Sequence, residues 1–370
     1  MAAQQSETAP RAANRVLLPV PGLDVPGIWQ VGPVTFHPAA DARVLAEAIV
    51  HEHGRPDIPA LRTMLDDRIS ALCESAVAEV SVAGAGADDG EAMATAAELT
   101  GTAVAIMRAV QHLRHRMNGM EHQTFGLPGE VPSVVTTYMV KGEMLTVGAS
   151  KSGPLAGFTF SDEDHQAWMA DPVFRFLDQA LSRSEPDRTM LQGRALLAIS
   201  LLSQIWVSYK PDVGLLNAAM ALEVLLGEED DKEKKTRIAR RASYFTCGWP
   251  GQVYLGTGRA ACPLLSLPLR SEQHRRGAPG PELQGILDEM REGRRIPCTR
   301  FVQVRGIYSA RNKIVHEGRL PAGWAHPDTW FIAALLLGPV LAWFASHPDS
   351  NLSELDAEIA ALPAASAASR

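Results

Sequence analysis

The rhythm of apolar and polar positions changes near residue 186. Before it, short apolar or alternating runs are interleaved with longer stretches of helical spacing. Residues 15–21 and 28–36 read as two short strands separated by Pro/Gly turns, and residues 79–84 as another. Asp41 is placed to cap a helix running to about residue 51, and residues 59–76 form a second amphipathic candidate. Asp88 or Asp89 opens a long helix in which Ala92, Ala96, Leu99, Ala103, Ile106, Val110 and Leu113 recur at helical intervals. Residues 131–140, 144–149 and 157–160 return to strand composition. The pattern predicts a mixed α/β module over residues 15–185, preceded by a polar, Ala-rich tail expected to be disordered to residue 14.

From residue 186 the pattern is almost purely helical. Asp187 is expected to cap a helix over 190–209, and Pro211 opens a turn before a helix at 215–226. The charge run 228–235 reads as a solvated connection or helix start, followed by a basic amphipathic helix at 236–245. Residues 247–281, rich in Gly, Pro and Arg, read as a long loop or insertion. A short helix at 281–292, a helix at 301–317 and one at 329–346 capped by Asp328 complete the series. The expected fold class is α+β, with an all-α bundle over 186–348 and an Ala-rich tail over 349–370.

Residues 329–348 lack Asp, Glu, Lys and Arg, which approaches the length of a membrane span. Pro339 interrupts them and no basic flank follows, so a buried helix packed on 196–209 and 215–226 is the simpler expectation. The four cysteines, Cys73, Cys247, Cys262 and Cys298, form no C-x-x-C pair, which fits a reducing compartment. The start lacks a basic-then-apolar leader, so a cytoplasmic location is expected. His51, His53 and His115 have no second carboxylate or His at helical spacing, so no metal site is predicted. Nor is a cofactor: Gly84-Ala85-Gly86 lacks the Lys-Ser/Thr of a phosphate loop, and there is no G-x-S-x-G elbow.

The net charge of -7 argues against a generally basic nucleic-acid coat. Residues 232–319, however, hold 18 Lys/Arg against 7 Asp/Glu, a local excess that suits an anionic partner such as RNA. Inside this segment lies Tyr308-Ser309-Ala310-Arg311-Asn312-Lys313-Ile314-Val315-His316-Glu317-Gly318. On a helix Asn312 and His316 are neighbours at i, i+4, while Arg311 lies about 140° from His316 and can swing toward it. A guanidinium, an amide and an imidazole together can hold a phosphate and move a proton near neutral pH. Ile314 and Val315 are expected to face a core, and the helix to continue around Gly318. Upstream, Glu223 sits in an apolar helix, where a carboxylate needs a basic partner; Arg311 or Arg240 is expected to supply it. Such a pair either orients the guanidinium or merely fixes helix packing.

Tyr308-x-x-Arg311-Asn312-x-x-x-His316, preceded by the Ala221-Leu222-Glu223-Val224-Leu225-Leu226 helix and the basic run from Arg237, resembles the ApeA-like branch of HEPN domains. The resemblance covers residues 186–348. It implies a helical bundle that cleaves RNA without metal, assembled as a homodimer with a composite cleft and acting as an anti-phage or toxin-like effector. Arg311, Asn312 and His316 would be catalytic, with Glu223, Lys313 and Tyr308 supporting them. Arg240, Arg241 and Arg305 would contact the RNA backbone. The N-terminal module would sense a phage-derived or cellular trigger. The alternative is a HEPN-like module that binds nucleic acid or protein without catalysis.

Overall fold

A computed structural model of the chain describes residues 14–53, 58–82, 89–115, 125–127, 135–141, 144–150, 158–207, 211–228, 234–247, 299–318 and 337–361. Two compact units result, the first from residues 1–111 with 117–187, the second from 112–116 with 188–370. The sequence-predicted helix at 281–292, the loop at 247–281, the leading tail and the start of the 329–346 helix lie outside the described residues.

The first unit is built on a four-stranded antiparallel sheet in the order β1 (Asn14–Val20), β5 (Ala76–Val82), β4 (Val34–His37), β3 (Trp29–Val31). The expected strand over 28–36 is a hairpin, because Gly32 takes φ +58 at the first position of a two-residue turn. That sign of φ matches the twist of the flanking strands and is one that glycine adopts without strain. Short β2 (Leu23–Asp24) pairs in parallel with β8 (Phe158–Thr159), and β6 (Val135–Lys141) pairs with β7 (Met144–Ser150).

Side chains alternate across the sheet. One face turns Leu17 and Val77 toward α1 (Ala39–His53) and α2 (Pro59–Leu72), which close a core around Ala42, Ala46, Ile69 and Cys73. On the same face Glu79 accepts from Arg15 at 2.6 Å and meets His37 Nε2 at 2.8 Å, linking three adjacent strands. The other face buries Val34, Phe36, Val80 and Trp29. Helix α3 (Asp89–His115) is buried at every position from Ala103 to Gln111. Its Arg108, only 1% exposed, donates to the Phe125 carbonyl at 2.9 Å, which satisfies a charge that would otherwise be costly to bury.

Two helices of this unit were not expected from the periodicity. Ser161 and Asp164 form a reciprocal capping box that starts α4 (Asp162–Ala170). Asp171 Oδ1 accepts from Val173 N at 2.8 Å and so starts α5 (Pro172–Ser182), with Pro172 in the first turn. Trp168 of α4 and Phe174 of α5 join Trp29 and Phe160 in an aromatic cluster, with ring centroids 4.5 Å apart for Trp29–Phe160 and 4.7 Å for Phe160–Trp168.

The second unit consists of helices among its described residues. After a 3-10 turn at Glu185–Asp187, α6 (Met190–Val207) is capped by Thr189 and not by Asp187. Thr189 Oγ1 accepts from Gln192 N at 3.3 Å and Gln192 Oε1 from Thr189 N at 3.1 Å, a reciprocal box, while the Asp187 carboxylate accepts from the Ser184 hydroxyl. Helix α7 (Pro211–Leu226) returns antiparallel to α6: Asn217 reaches Gln204 at 3.1 Å at one end, and Arg194 donates to the Val224 and Gly227 carbonyls at the other. Those bonds satisfy carbonyls that the helix end leaves open. Then come α8 (Lys234–Cys247), α9 (Thr299–Glu317), α10 (337–346) and α11 (Leu352–Ala361). The expected tail over 349–370 is thereby corrected at residues 352–361, where Leu352, Leu355 and Ile359 recur at helical spacing and are buried, while 362–370 lie outside the described residues. No described helix is long and apolar enough to cross a membrane.

The Gly32 turn packs tightly on α5. Its N–H donates to Asp178 Oδ1 at 2.7 Å, and a Cβ there would stand 2.7 Å from Leu181 Cγ. Gly32→Ala, which combines that clash with an unfavourable φ, is expected to cost about 2 kcal/mol, read as a lower urea midpoint at unchanged slope.

Candidate functional site

Helix α9 carries the Arg-Asn-His motif, and α7 and α8 pack against it. Its N-terminal two-thirds buries Val304, Ile307, Tyr308 and Ala310. Beyond Arg311 the helix faces solvent: Asn312, Lys313, Val315, His316 and Glu317 are all exposed, with Val315 at 53%. The expectation that Ile314 and Val315 turn into a core is corrected, Ile314 being only half-buried. The helix also ends at Glu317 instead of continuing around Gly318. That residue takes φ +67 and its N–H donates to the Ile314 carbonyl at 3.0 Å, the left-handed cap that ends a helix.

Within the motif, Arg311 Nη1 donates to Asn312 Oδ1 at 3.1 Å. The bond draws the guanidinium toward the stripe formed by Ser309, Asn312 and His316 at i, i+3, i+7. Three of the predicted residues thus share one end of one helix. His316 has no hydrogen-bond partner among the described residues.

Tyr308 lies beneath this stripe, 7% exposed, and donates to the Ala219 carbonyl of α7 at 3.3 Å. Burial pushes its phenol well above the ordinary tyrosine range; the Glu223 carboxylate raises it further, while the Arg311 guanidinium pulls the other way. Glu223 and Arg311 therefore both act on the same buried hydroxyl. The ion-pair partner of Glu223 is nevertheless neither Arg311 nor Arg240. It is Lys234, the first residue of α8, and both side chains are about one-third exposed. The carboxylate is half-buried rather than sealed in apolar surroundings, so an ammonium at the helix edge suffices.

The next residue, Lys235, points to a different neighbour and donates to Ser309 Oγ of α9 at 2.6 Å. Consecutive lysines, about 100° apart around the helix, thus fasten the start of α8 to α7 and to α9. Neither Lys234 nor Lys235 was anticipated, because a run of mixed charge reads as solvated surface. The clue was its sequel: a basic helix beginning directly after the Glu223 helix and its Gly227 turn.

The three arginines expected on the RNA backbone fare differently. Arg240 is exposed on α8, and the side chain of Arg305 lies outside the described residues. Arg241 is corrected. It is 0% exposed, and its guanidinium grips Asp356 of α11 with bonds of 2.9 and 2.7 Å. It also donates to the Leu226 carbonyl at 2.6 Å and meets Glu228 at 3.2 Å. A guanidinium so enclosed fixes helices and does not reach a solvent-borne phosphate.

No group of three His, Cys, Asp or Glu side chains suited to a metal ion gathers among the described residues. No family model, curated protein or solved structure matches the chain. The likeness to HEPN domains rests on the residues quoted for it.

Two outcomes follow from this geometry. Arg241→Ala or Asp356→Ala breaks a pair with one member fully buried and is expected to destabilise the protein by about 3 kcal/mol, read from thermal or urea unfolding. An Arg241→Ala protein that unfolds normally but loses RNA binding would restore the arginine to the surface role. The second outcome concerns pH. The folded-state phenol of Tyr308 is raised above its unfolded value, so the folded state holds the proton more tightly. Its contribution is complete below about pH 10 and declines as pH rises above that value. Tyr308→Phe is expected to flatten this alkaline fall in unfolding midpoint.

Proposed function

We propose that the second unit is a metal-independent endoribonuclease of HEPN type. The observation that carries this reading is the Arg311–Asn312 hydrogen bond, which gathers guanidinium and amide on the exposed stripe that also bears His316. RNA supplies its own nucleophile, the 2′-hydroxyl beside each phosphodiester. His316 takes that proton, the 2′-oxygen attacks phosphorus, the bond to the 5′-oxygen breaks, and the leaving oxygen collects a proton. The products are a 2′,3′-cyclic phosphate and a 5′-hydroxyl. Arg311 balances the charge on the non-bridging oxygens, a contribution that is often the largest single one, and Asn312 orients the phosphate. General acid–base catalysis by one imidazole contributes about 10²–10⁴-fold. Proton removal and proton return call for two groups, and a second protomer would bring its own His316 to the same cleft. The first unit would then sense the trigger for an anti-phage or toxin-like effector.

The exposed imidazole, which has no orienting hydrogen bond among the described residues, favours a second reading, a module that binds RNA without cutting it. Catalytic imidazoles are commonly oriented through their other ring nitrogen. One experiment separates the two. Purified full-length protein in EDTA is incubated with end-labelled RNA, and the product ends are identified. The nuclease reading expects cyclic phosphate ends, a loss of rate of at least about 100-fold in His316→Ala with the fold intact, and a similar loss in Arg311→Ala. Binding without any cleavage across protein concentrations that favour self-association would instead establish the non-catalytic module.

A further inference from the structure

We infer that Lys234 is a positioning residue for Arg311: by holding Glu223 it keeps that carboxylate from capturing the guanidinium, and so leaves Arg311 to a phosphate. The inference rests on the reading of the second unit as an RNA-acting domain. Three charged side chains meet beside the start of α8. Glu223 of α7 lies one turn beyond Ala219, whose carbonyl accepts from Tyr308, and Arg311 lies one turn beyond Tyr308. The carboxylate and the guanidinium both act on the buried Tyr308 hydroxyl, with opposite sign. Lys234, the first residue of α8, pairs with Glu223. Its stem passes over Gly227, where a Cβ would stand 3.2 Å from Lys234 Cε and 2.5 Å from the Glu223 carbonyl oxygen. A side chain at 227 would therefore crowd the path by which Lys234 reaches its partner.

The acceptor that Arg311 takes is the informative one. Hydrogen bonds from a guanidinium to a carboxylate are roughly twice as strong as those between neutral groups. Arg311 instead donates to the neutral Oδ1 of Asn312 at 3.1 Å, and it pairs with no carboxylate among the described residues. The nearby carboxylate is already held by an ammonium. Glu223, Lys234 and Arg311 together carry one net positive charge, and the pairing decides which cation bears it. With Lys234 on the carboxylate, that charge sits on the arginine, beside Asn312 and on the side of His316. An amide orients a guanidinium without cancelling it, and the planar fork suits two non-bridging phosphate oxygens. Once the ammonium is removed, Glu223 is released to draw Arg311 off the stripe.

The test uses the full-length His316→Ala protein, which is expected to bind without cutting, and a fluorescent single-stranded oligoribonucleotide titrated across a range of salt concentrations. Losing one phosphate contact lowers the slope of log K against log salt by about 0.7 for a single strand. Lys234→Met, which keeps a stem over Gly227 and removes the charge, is expected to show that loss, and Lys234→Arg to keep the slope. Lys234→Met combined with Glu223→Gln is expected to restore it, because the carboxylate that would take Arg311 is then gone. In the His316-intact protein Lys234→Met is expected to lower kcat about 10-fold, short of the effect of Arg311→Ala, and the double variant to recover it. Unfolding midpoints identify any single variant that fails to fold, and the double variant, which leaves neither charge of the pair, then decides. An unchanged slope in folded Lys234→Met overturns the inference while leaving the RNA reading intact. So does a double variant as impaired as the single one, which would make Lys234 a phosphate contact in its own right. A His316→Ala parent that binds no RNA at any salt overturns both.

Discussion

The second unit depends on one buried guanidinium. Arg241 has no solvent to hydrate it, so every donor it carries must find an acceptor within the fold. It finds them on three elements: the Leu226 carbonyl at the end of α7, the Leu352 carbonyl and Asp356 of α11, and Glu228 in the connection to α8. The planar fork of arginine suits this; a lysine ammonium would not meet a carboxylate through two parallel bonds. Arg194 serves the same end of α7 from α6. The end of α7 is thereby fixed, and with it the short distance from Glu223 to Lys234 at the start of α8. The face around α9 inherits its geometry from this anchoring.

Much of the fold was legible in the sequence, and the reasons for the rest are specific. The spacing of Ala92, Ala96, Ala103 and Val110 marked α3, and the apolar run after Glu79 marked part of β5. Helix α4 escaped because it is short and mostly polar, and α5 because it is short and carries Phe174 and Phe176, a residue type that strands also favour. Their signatures were the caps, Ser161 with Asp164 and Asp171 before Pro172, and these are visible without periodicity. The hairpin at Gly32 was read as one strand because a two-residue turn leaves the apolar pattern nearly unbroken.

The candidate face was legible in part for a related reason. Asn312 and His316 share a helix face by spacing alone, and Arg311 is drawn to it by a neighbour one position away. Contacts between distant segments carry no such mark. Arg240 and Arg241 are adjacent and chemically identical, yet one is exposed and the other fully buried. Arg241 turns inward among buried Ile238 and Ala242, and the carboxylate that receives it there, Asp356 of α11, is 115 residues away. The same holds for Lys235 and Ser309, which lie 74 residues apart and whose pairing depends on how α8 meets α9.

The separation between Arg241 and Asp356 also has a meaning in time. A chain emerging at about 5–20 residues per second exposes Arg241 roughly 6–23 s before Asp356, the carboxylate it grips through two bonds, exists. During that interval α6, α7 and α8 are available to pair, with the Leu226 carbonyl and Glu228 already present for the guanidinium, but the two-bond grip of Asp356 is still missing. The bundle is therefore assembled early and locked late. Until Asp356 arrives, the surface bearing Arg311 and His316 rests on helices that are still free to separate, so its final shape is acquired near the close of synthesis of this unit.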